Sequence, residues 1–534
     1  VRAESLPPFD EAIRRIHFPD SPDSLRRAQE RLKFDELFTL ELGVAFRKRR
    51  VEATGSGLAQ APGERVEHLS GTLPFEPTGA QRRAMAEIGS AMARSRPMHA
   101  LLQGDVGSGK TLVALHAALT AVDAGHQAAV MAPTEVLAGQ HLRSFETFLA
   151  PIGAVPYLEI AGRRSSRHAQ ASLLASEEDP ATLTYALLTA AVTGKARARI
   201  LEGVASGEVD LVVGTHALVQ EGVSFADLSL AVVDEQHRFG VHQRMALKGK
   251  GGAPDVLIMT ATPIPRTLAL TYYGDLDVVT LDEMPAGRQP VRTTIARSSE
   301  DRGAAYALVR REVEAGRQAF VVCAAIDEAN RSEVKAAEAE AERLATKVFP
   351  DLSLALLHGR MRPVQKDAVM EAFRAGEHHL LISTTVIEVG VDVPNATVML
   401  IENAERFGLA QLHQLRGRIG RGEHASTCVL FDDSDPENLE ARARLDAMVR
   451  TTDGFVLADE DLRLRGEGTL FDVKQSGFPD LKLARLAEDL ELVKRARARA
   501  FATIEEDPEL DRHPELLAEL RSRFGGTIDR LFDA

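Results

Sequence analysis

The segment GDVGSGKT, residues 104–111, follows the apolar run HALLQ and precedes the helix-forming run TLVALHAAL. It matches the pattern G-x-x-x-x-G-K-[ST] between a strand and a helix, which is where a P-loop must lie. Glycines permit positive φ angles and close approach, so backbone N–H groups can surround phosphate oxygens at a helix N-terminus. The segment therefore predicts a nucleotide site in which Lys110 neutralises phosphates and Thr111 ligates Mg²⁺. The phosphate-binding residues expected here are Gly104, Gly107, Ser108, Gly109, Lys110 and Thr111.

Short apolar runs alternate with longer helical patterns around this segment. The first set is MHALLQ, AAVMAP, LVVG, LAVVDE and VLIMTAT. After the Pro- and Gly-containing stretch MPAGRQPV (284–291), a second set follows: QAFVVCA, LSLALLHG, HHLLIST and TVMLIEN. Buried parallel strands with crossover helices give such a pattern. The sequence predicts an α/β fold with two tandem units.

Three further segments differ in composition or periodicity from these alternating runs. Residues 24–50 carry apolar residues at near-helical spacing after a possible Ser24 N-cap, and they predict one long helix. Residues 51–72 are rich in Gly, Ala and Ser without a sustained period, which is typical of a linker. Residues 162–182 are small and polar, which favours an exposed insertion.

The composition excludes several classes of protein. The net charge is −14 from 64 Lys+Arg and 78 Asp+Glu, so any nucleic-acid contact must come from local clusters. The two cysteines, Cys323 and Cys428, lie in apolar runs and are expected to be inert core thiols. No apolar stretch is long enough to span a membrane, and the first residues lack a signal peptide, so we expect a cytoplasmic protein. Val1 in place of Met indicates a processed or truncated form.

Two further clusters complete a nucleotide site. The strand LAVVDEQH (230–237) ends in Asp234 and Glu235, which suit a Mg²⁺ ligand and a base that positions water. Alone, such a pair is more often a cap or turn. The segment HQLRGRIGRG (413–422) places arginines at 416, 418 and 421, which can reach a γ-phosphate from the second unit. A solvated basic turn is the plain alternative.

Taken together, these elements resemble the superfamily 2 helicases and translocases, which have two tandem RecA-like P-loop domains. FEPTGAQ (75–81) looks like the family's adenine-reading motif, with Phe75 and Gln81 at the base. The segments MAPTEVLAGQH, VGTHALVQ, MTATPIP, LHGRM and STTVIEVGVDVPNA look like the remaining motifs in order. The resemblance assigns hydrolysis to Lys110, Asp234, Glu235, Gln414, Arg418 and Arg421. It assigns nucleic-acid contacts and their relay to Pro133, Thr134, Gly214, Thr215, His216, Thr260, Thr262, His358, Gly359, Thr384 and Thr385.

The segment TTDGFVLADEDLRLRGEGTLFDVKQSG, residues 451–477, resembles the translocation motif shared by RecG-type helicases and the transcription-repair coupling factor Mfd. The resemblance implies a C-terminal helical hairpin and loop that pushes on duplex DNA. Its core would be Phe455, Leu457, Leu462 and Leu464, and its polar candidates Arg463, Arg465 and Gln475. By pattern alone, a C-terminal packing helix with surface ion pairs is the favoured interpretation, and only the resemblance reverses it. The segments DEQHRFGVHQR, KQSGFPDLKLA and LPPFDEAIRRIHFPD resemble RecG-type more than Mfd-type chains.

The resemblance implies a motor that uses ATP and Mg²⁺ on duplex and branched DNA, as a monomer, with single-stranded DNA-binding protein as a possible partner. The implied domains are an N-terminal helical segment and linker (1–72), two RecA-like domains (73–285 and 286–445) and a C-terminal hairpin with helices (446–534). RecG-type chains carry an N-terminal wedge domain with an OB-fold, for which nothing before Leu6 offers a counterpart. Two alternatives remain open: an Mfd-like motor acting on stalled RNA polymerase, and a nucleotide-dependent DNA-binding scaffold.

Overall fold

A computed structural model provides the structure of the chain. It describes residues 4–54, 57–159, 182–220, 222–234, 254–265, 276–285, 289–324, 331–388, 393–465, 481–486 and 488–524. Within these ranges the chain forms two parallel β-sheets flanked by helices, with further helices from both ends of the sequence packed together. This architecture confirms the predicted α/β class with two parallel-sheet units.

The first unit is built on an eight-stranded parallel sheet with the strand order β3-β4-β5-β2-β6-β7-β1-β8. Its central strands are buried along their whole length, as expected where helices cover both faces. The strands are β1 (His99–Gly104), β2 (Gln127–Met131), β3 (Val155–Pro156), β4 (Thr184–Leu188), β5 (Leu211–Gly214), β6 (Leu228–Asp234), β7 (Asp255–Thr260) and β8 (Asp277–Leu281).

Five helices flank this sheet among the described residues. They are α3 (Glu64–Thr72), α4 (Gly79–Met92), α5 (Lys110–Asp123), α6 (Glu135–Leu149) and α7 (Gly194–Ser206). Helix α5 is buried on nearly every side because it lies between the sheet and the helices α3 and α4. Its composition, largely Ala, Val and Leu, allows this close packing. The phosphate-loop helix is therefore held rigidly in the core of the unit.

The second unit has a six-stranded parallel sheet with the order β11-β12-β10-β13-β14-β9. Its strands are β9 (Arg292–Ala296), β10 (Gln318–Cys323), β11 (Leu354–Leu357), β12 (Leu380–Ser383), β13 (Ala396–Glu402) and β14 (Thr427–Phe431). Its helices are α8 (Ser299–Glu314), α9 (Arg331–Arg343), α10 (Pro363–Arg374), α11 (Leu409–Arg416) and α12 (Leu439–Arg450). Both cysteines are free and buried in this sheet, and burial raises the pKa of the Cys428 thiol to about 12.

Helices from the two ends of the sequence form a third body. They are α1 (Phe9–His17), α2 (Pro22–Thr54), α13 (Gly454–Arg465), α14 (Leu490–Glu506) and α15 (Pro514–Phe524). Helix α2 packs along α14, and the buried carboxylate of Glu41 accepts a hydrogen bond from Arg497 at 2.9 Å. The Glu36 carboxylate of α2 accepts the backbone N–H groups of residues 482–484 at 2.9–3.1 Å. The sequence-distant ends are thus tied to each other.

The long helix predicted over residues 24–50 is confirmed, and it extends a little at each end. The linker predicted over residues 51–72 is wrong for its last nine residues, which form α3. Val66 and Leu69 of α3 are buried in the core of the first unit. The Asp123 carboxylate, at the end of α5, accepts the N–H groups of Gly63 and Val66 and so caps α3 from a distance. The predicted insertion at 162–182 falls almost wholly outside the described residues. No helix in the described part of the chain is long and apolar enough to cross a membrane.

Candidate functional site

The phosphate loop joins the end of β1 to the start of α5. Gly107 and Gly109 adopt φ angles of 81° and 87°, which glycine reaches without strain. A Cβ on Gly109 would lie 2.1 Å from Nε2 of Gln81, and one on Gly104 would lie 2.6 Å from Oγ of Ser108. The glycines are therefore required by backbone conformation and by close packing.

The side chain of Gln81 supports the phosphate loop through a hydrogen bond. Its Nε2 donates to the carbonyl of Ser108 at 2.9 Å, and its Oε1 accepts the N–H of Thr78 at 2.9 Å within a capping box of α4. The side chain is buried, so both halves of the amide are used within the protein. The contact of Gln81 with adenine stays a prediction. In the structure, the Gln81 side chain supports the phosphate loop through its hydrogen bond to Ser108. Phe75, which is 46% exposed, is available for stacking on a base.

The polar side chains of the loop fit a polyphosphate. Lys110 donates to the carbonyls of Gly104 at 2.7 Å and Asp105 at 2.9 Å, which holds its ammonium across the mouth of the loop. The hydroxyl of Ser108 is fully buried and has no hydrogen-bond partner among the described residues. A buried polar atom without a partner is costly unless a ligand or water satisfies it. The Ser108 hydroxyl is thus a donor that a ligand or a water molecule can satisfy.

Asp234 lies at the end of β6, which is separated from β1 by the single strand β7, and is buried. Its Oδ2 is 2.7 Å from Nε2 of His141, which belongs to α6. The hydroxyl of Thr111 and this carboxylate are hard oxygen donors, the type that Mg²⁺ prefers, so the residues fit this ion. Glu235 lies outside the described residues. His141 was missed as a site residue, although it closes the quoted segment MAPTEVLAGQH.

The second unit meets the phosphate loop through α11. Nε2 of His413 is 2.5 Å from Oδ1 of Asp105, and a Cβ on Gly417 would lie 2.9 Å from that of Val106. Burial alone would raise the pKa of Asp105, but the His413 hydrogen bond, the Val106 N–H and Lys110 hold that pKa below its ordinary value. The predicted residues Gln414 and Arg418 are buried in this contact region. Arg421 is half-buried and donates to the carbonyl of Gly417 at 3.2 Å.

A cavity of about 370 Å³ lies beside this contact. Asp105 and Met284 line it from the first unit and the connection, and His413 and Phe455 line it from the other side. Since the same residues bound the phosphate loop and the arginine segment, the cavity belongs to the cleft between the two units.

The sheet residues predicted to contact nucleic acid lie at or just after strand ends, at the carboxyl edges of the two sheets. In the first sheet they lie at the ends of the neighbouring strands β2 and β5, and in the second they follow the neighbouring strands β11 and β12. Thr260 is the last residue of β7, and Thr262 follows it. His216 and Gly359 are exposed, and Pro133, Thr134, His358 and Thr385 are half-buried, whereas Gly214, Thr215, Thr260 and Thr384 are buried. The ring atom Nδ1 of His358 has no partner in the described part of the chain. The structure thus places these residues along the carboxyl edges of the two sheets, with Thr260 in register with Gln103 just before the phosphate loop.

The first helix of the predicted C-terminal hairpin is α13. Leu457 and Leu462 are buried, Leu464 packs against the second unit, and Phe455 is half-buried, in agreement with their expected core role. Arg463 is exposed and pairs with Glu460 at 3.1 Å. Arg465 ends the helix, and Gln475 lies outside the described residues.

Three family models match the chain and agree with this geometry. One described as DEAD/DEAH box helicase matches residues 78–271, and one described as helicase conserved C-terminal domain matches residues 304–423. The fold and the cleft therefore define a two-unit helicase motor. A third, described as ATP-dependent DNA helicase RecG, domain 3, C-terminal, matches residues 451–521.

Individual relatives narrow the class. The chain is 47% identical over 524 residues to the ATP-dependent DNA helicase RecG of Synechocystis sp., covering 97% of this chain and 59% of that protein. It is 42% identical to the RecG of Bacillus subtilis, covering 95% and 70%. The structure of RecG bound to a three-way DNA junction aligns with a TM-score of 0.68 and 41% identity, covering 92% of this chain and 60% of that one. The chain belongs to the RecG family of ATP-dependent DNA helicases, and it spans about three fifths of the length of the Synechocystis relative.

Proposed function

We propose that this chain is the ATP-driven motor of a helicase that moves along double-stranded DNA and remodels branched DNA, such as stalled forks and Holliday junctions. The relatives are named ATP-dependent DNA helicases, and one solved relative is bound to a three-way junction. Family membership supports the proposal more strongly than it supports either alternative, an Mfd-like motor or a scaffold without hydrolysis.

The contact between Asp105 and His413 carries the proposal. It brings the arginine segment of the second unit onto the phosphate loop of the first, so a nucleotide in the loop lies between the units. Hydrolysis in such a cleft changes the contacts that hold the units together. A binding module would not need this arrangement.

In the proposed mechanism the loop 104–109 holds the phosphates through backbone N–H groups, and Lys110 places its ammonium against them. Thr111 and Asp234 would hold Mg²⁺, which would supply positive charge against the phosphates. Glu235 orients the attacking water. Arg418 and Arg421 stabilise charge that develops on the γ-phosphate, with Gln414 beside them. Phe75 stacks on the base, and Gln81 keeps the loop in shape.

The carboxyl edges of both sheets form the proposed DNA track. Backbone N–H groups and hydroxyls after β2, β5, β11 and β12 bind phosphates without reading sequence, which suits movement along DNA. Thr260 and Thr262, whose hydroxyls are 2.8 Å apart, pass the nucleotide state toward the track. Arg463, Arg465 and Gln475 of the hairpin contact the duplex.

The proposal also covers the domain boundaries, the oligomeric state, the location and a partner of the motor. We keep residues 73–285 and 286–445 as the two RecA-like domains, between the segments 1–72 and 446–534. The motor acts as a monomer on chromosomal DNA in a bacterial cell, with single-stranded DNA-binding protein as a candidate partner.

The first test is the ATPase rate without DNA and with single-stranded, linear duplex and four-way-junction DNA, at one stated salt concentration because phosphate contacts depend on salt. We expect the strongest stimulation by duplex or junction DNA. Stimulation by single strands alone would contradict a double-strand motor.

The variant Lys110→Ala tests the assignment of the site. Loss of the ammonium should lower the DNA-stimulated ATPase rate by at least about 10²-fold, because a preorganised charge on the reacting phosphates is removed. Lys494→Ala, at an exposed position of α14, is the matched control and should hydrolyse ATP as the parent does. Retained hydrolysis in Lys110→Ala would show that the site is elsewhere.

A further inference from the structure

The side chain of His413 lies where three parts of the motor meet. Its Nε2 is 2.5 Å from Oδ1 of Asp105 in the phosphate loop. Its Nδ1 is 3.0 Å from Nη2 of Arg416, one turn along α11. The ring also lies against Gly454, the first residue of α13, where a Cβ would come within 2.6 Å of Nε2. His413 is buried, and it also lines the cavity described above.

The partners fix which ring nitrogen carries the hydrogen. A guanidinium has only donors, so Arg416 must donate to Nδ1, and Nδ1 must accept. Nε2 then carries the hydrogen and donates it to the Asp105 carboxylate. The ring is therefore held at both nitrogens in one orientation.

Arg416 connects the ring to the start of the hairpin. The side chain is 3% exposed, and its Nη1 donates to the carbonyls of Met448 at 2.8 Å and Thr451 at 2.9 Å. Thr451 follows the end of α12, and Asp453 two residues later caps α13 by accepting the N–H of Phe455 at 2.8 Å. A continuous set of hydrogen bonds thus runs from the phosphate loop to the segment that begins α13.

We propose that His413 is a positioning residue that transmits the state of the phosphate loop to the translocation hairpin, through Asp105 on one side and Arg416 with Gly454 on the other. This role rests on the proposed function and deepens it. Displacement of Asp105 when the loop engages phosphate moves the ring, and the ring moves the start of α13 because Gly454 leaves no space between them.

The role can be tested by a reporter on α13 that responds to nucleotide without requiring DNA movement. Val456 is 46% exposed, and both native cysteines are buried, so Val456→Cys can be labelled alone with an environment-sensitive dye. The dye signal is followed on adding a non-hydrolysable ATP analogue, in the parent and in His413→Leu, His413→Gln and His126→Leu. A fluorescent nucleotide measures the dissociation constant separately for each protein.

The leucine variant should lose at least about fivefold in signal amplitude while its nucleotide dissociation constant stays within about twofold, because the relay is broken and the phosphate cradle is intact. The glutamine variant should keep at least about half the amplitude, since its amide supplies both a donor and an acceptor. His126→Leu removes a histidine–carboxylate pair with Asp227, 2.6 Å long and far from the cleft, and should behave as the parent. Base pairs moved per ATP hydrolysed, a ratio independent of the active fraction, should fall in parallel with the amplitude.

Three results would overturn the role of His413. One is a full dye response in the leucine variant, and another is an equal loss in the leucine and glutamine variants, which would indicate a packing role only. The third is a parent protein whose reporter does not respond to nucleotide. Each of these can occur while Lys110→Ala still abolishes hydrolysis, so failure of the relay is distinguishable from failure of the proposed motor function.

Discussion

The two edges of the first sheet hold their polar groups in different ways. At the amino edge, the buried Asp255 accepts the N–H of Met98 at 2.6 Å and the Gln60 amide at 2.7 Å, and Gln60 accepts the Ser229 hydroxyl at 2.8 Å. This network is closed within the unit. At the carboxyl edge, Asp105 reaches the second unit, the Ser108 hydroxyl has no partner among the described residues, and His216 is exposed.

The difference shows which edge serves stability and which serves function. Ligands of open parallel sheets bind outside the carboxyl ends of the strands, because helix N-termini and loops with open donors collect there. Groups at the opposite edge have no such ligand and must satisfy each other. Substitutions at the two edges should therefore change different observables.

The largest effect is expected at the carboxyl edge for Arg418→Ala. Loss of an arginine on the γ-phosphate should lower kcat by about 10³-fold or more, while nucleotide affinity stays close to that of the parent. Steady-state ATPase kinetics and nucleotide titration measure the two quantities. Arg406→Ala, at a half-exposed arginine of the same unit, is the control. A kcat within about tenfold of the parent would remove Arg418 from the transition state.

The second-largest effect is expected at the amino edge, for Asp255, and it concerns the stability of the fold and not the ATPase activity. Burial raises the pKa of Asp255 to about 7, against 3.8 for an ordinary aspartate. The folded protein therefore keeps the proton up to about pH 7, whereas the unfolded chain releases it near pH 4. The folded state binds more protons between these values, so this group makes stability fall as the pH rises through that window. The loss of stability caused by ionisation of Asp255 is complete once the pH exceeds the pKa of this group in the folded protein.

Asp255→Asn removes this titration. An amide flip of Gln60 would let the asparagine donate to Gln60 and accept from Met98, so the variant mimics the protonated acid. Denaturant unfolding from pH 5 to pH 8 should show the variant gaining stability over the parent as the pH rises, by up to about 3 kcal/mol. ATPase activity should not change. An equal pH dependence in both proteins would contradict the raised pKa of Asp255.

The smallest effect is expected at the exposed end of the carboxyl edge. His216→Ala should weaken DNA binding by about two- to tenfold, the value of one hydrogen bond, without changing the ATPase rate in the absence of DNA. His68→Ala on the exposed face of α3 is the matched control. Fluorescence anisotropy with a labelled duplex measures the affinity, and equal affinities for both variants would take His216 off the DNA track.

Much of the fold follows from local pattern. The strands around the phosphate loop are continuous apolar runs, and α2 has a helical period, so both were predicted at nearly their observed limits. Helix α3 was missed because its cap, Asp123, lies about sixty residues further along the chain. No window of sequence around residues 64–72 contains that interaction.

The candidate site also contains some residues that the sequence indicated and some contacts that it could not indicate. The site residues assigned by resemblance lie at the carboxyl ends of parallel strands, and their proposed roles stay predictions. The pairs His141–Asp234 and His413–Asp105 were missed, since each joins residues far apart in sequence. Their roles depend on side-chain geometry, which spacing cannot supply. Glu235 and Gln475 remain predictions outside the described residues.

The packing of α2 against α14 has a mechanical consequence. The second unit is attached to the first by the connection near residues 282–291, and it is attached again through α13 and the helices bound to α2. Lys48 of α2 is 2.5 Å from Asp277 of β8, so the second attachment also leads back to the first unit. Together with the Asp105–His413 contact, these attachments limit how the second unit can turn against the first. Rotation of the second unit is therefore coupled to α2 as well as to the connection between the units.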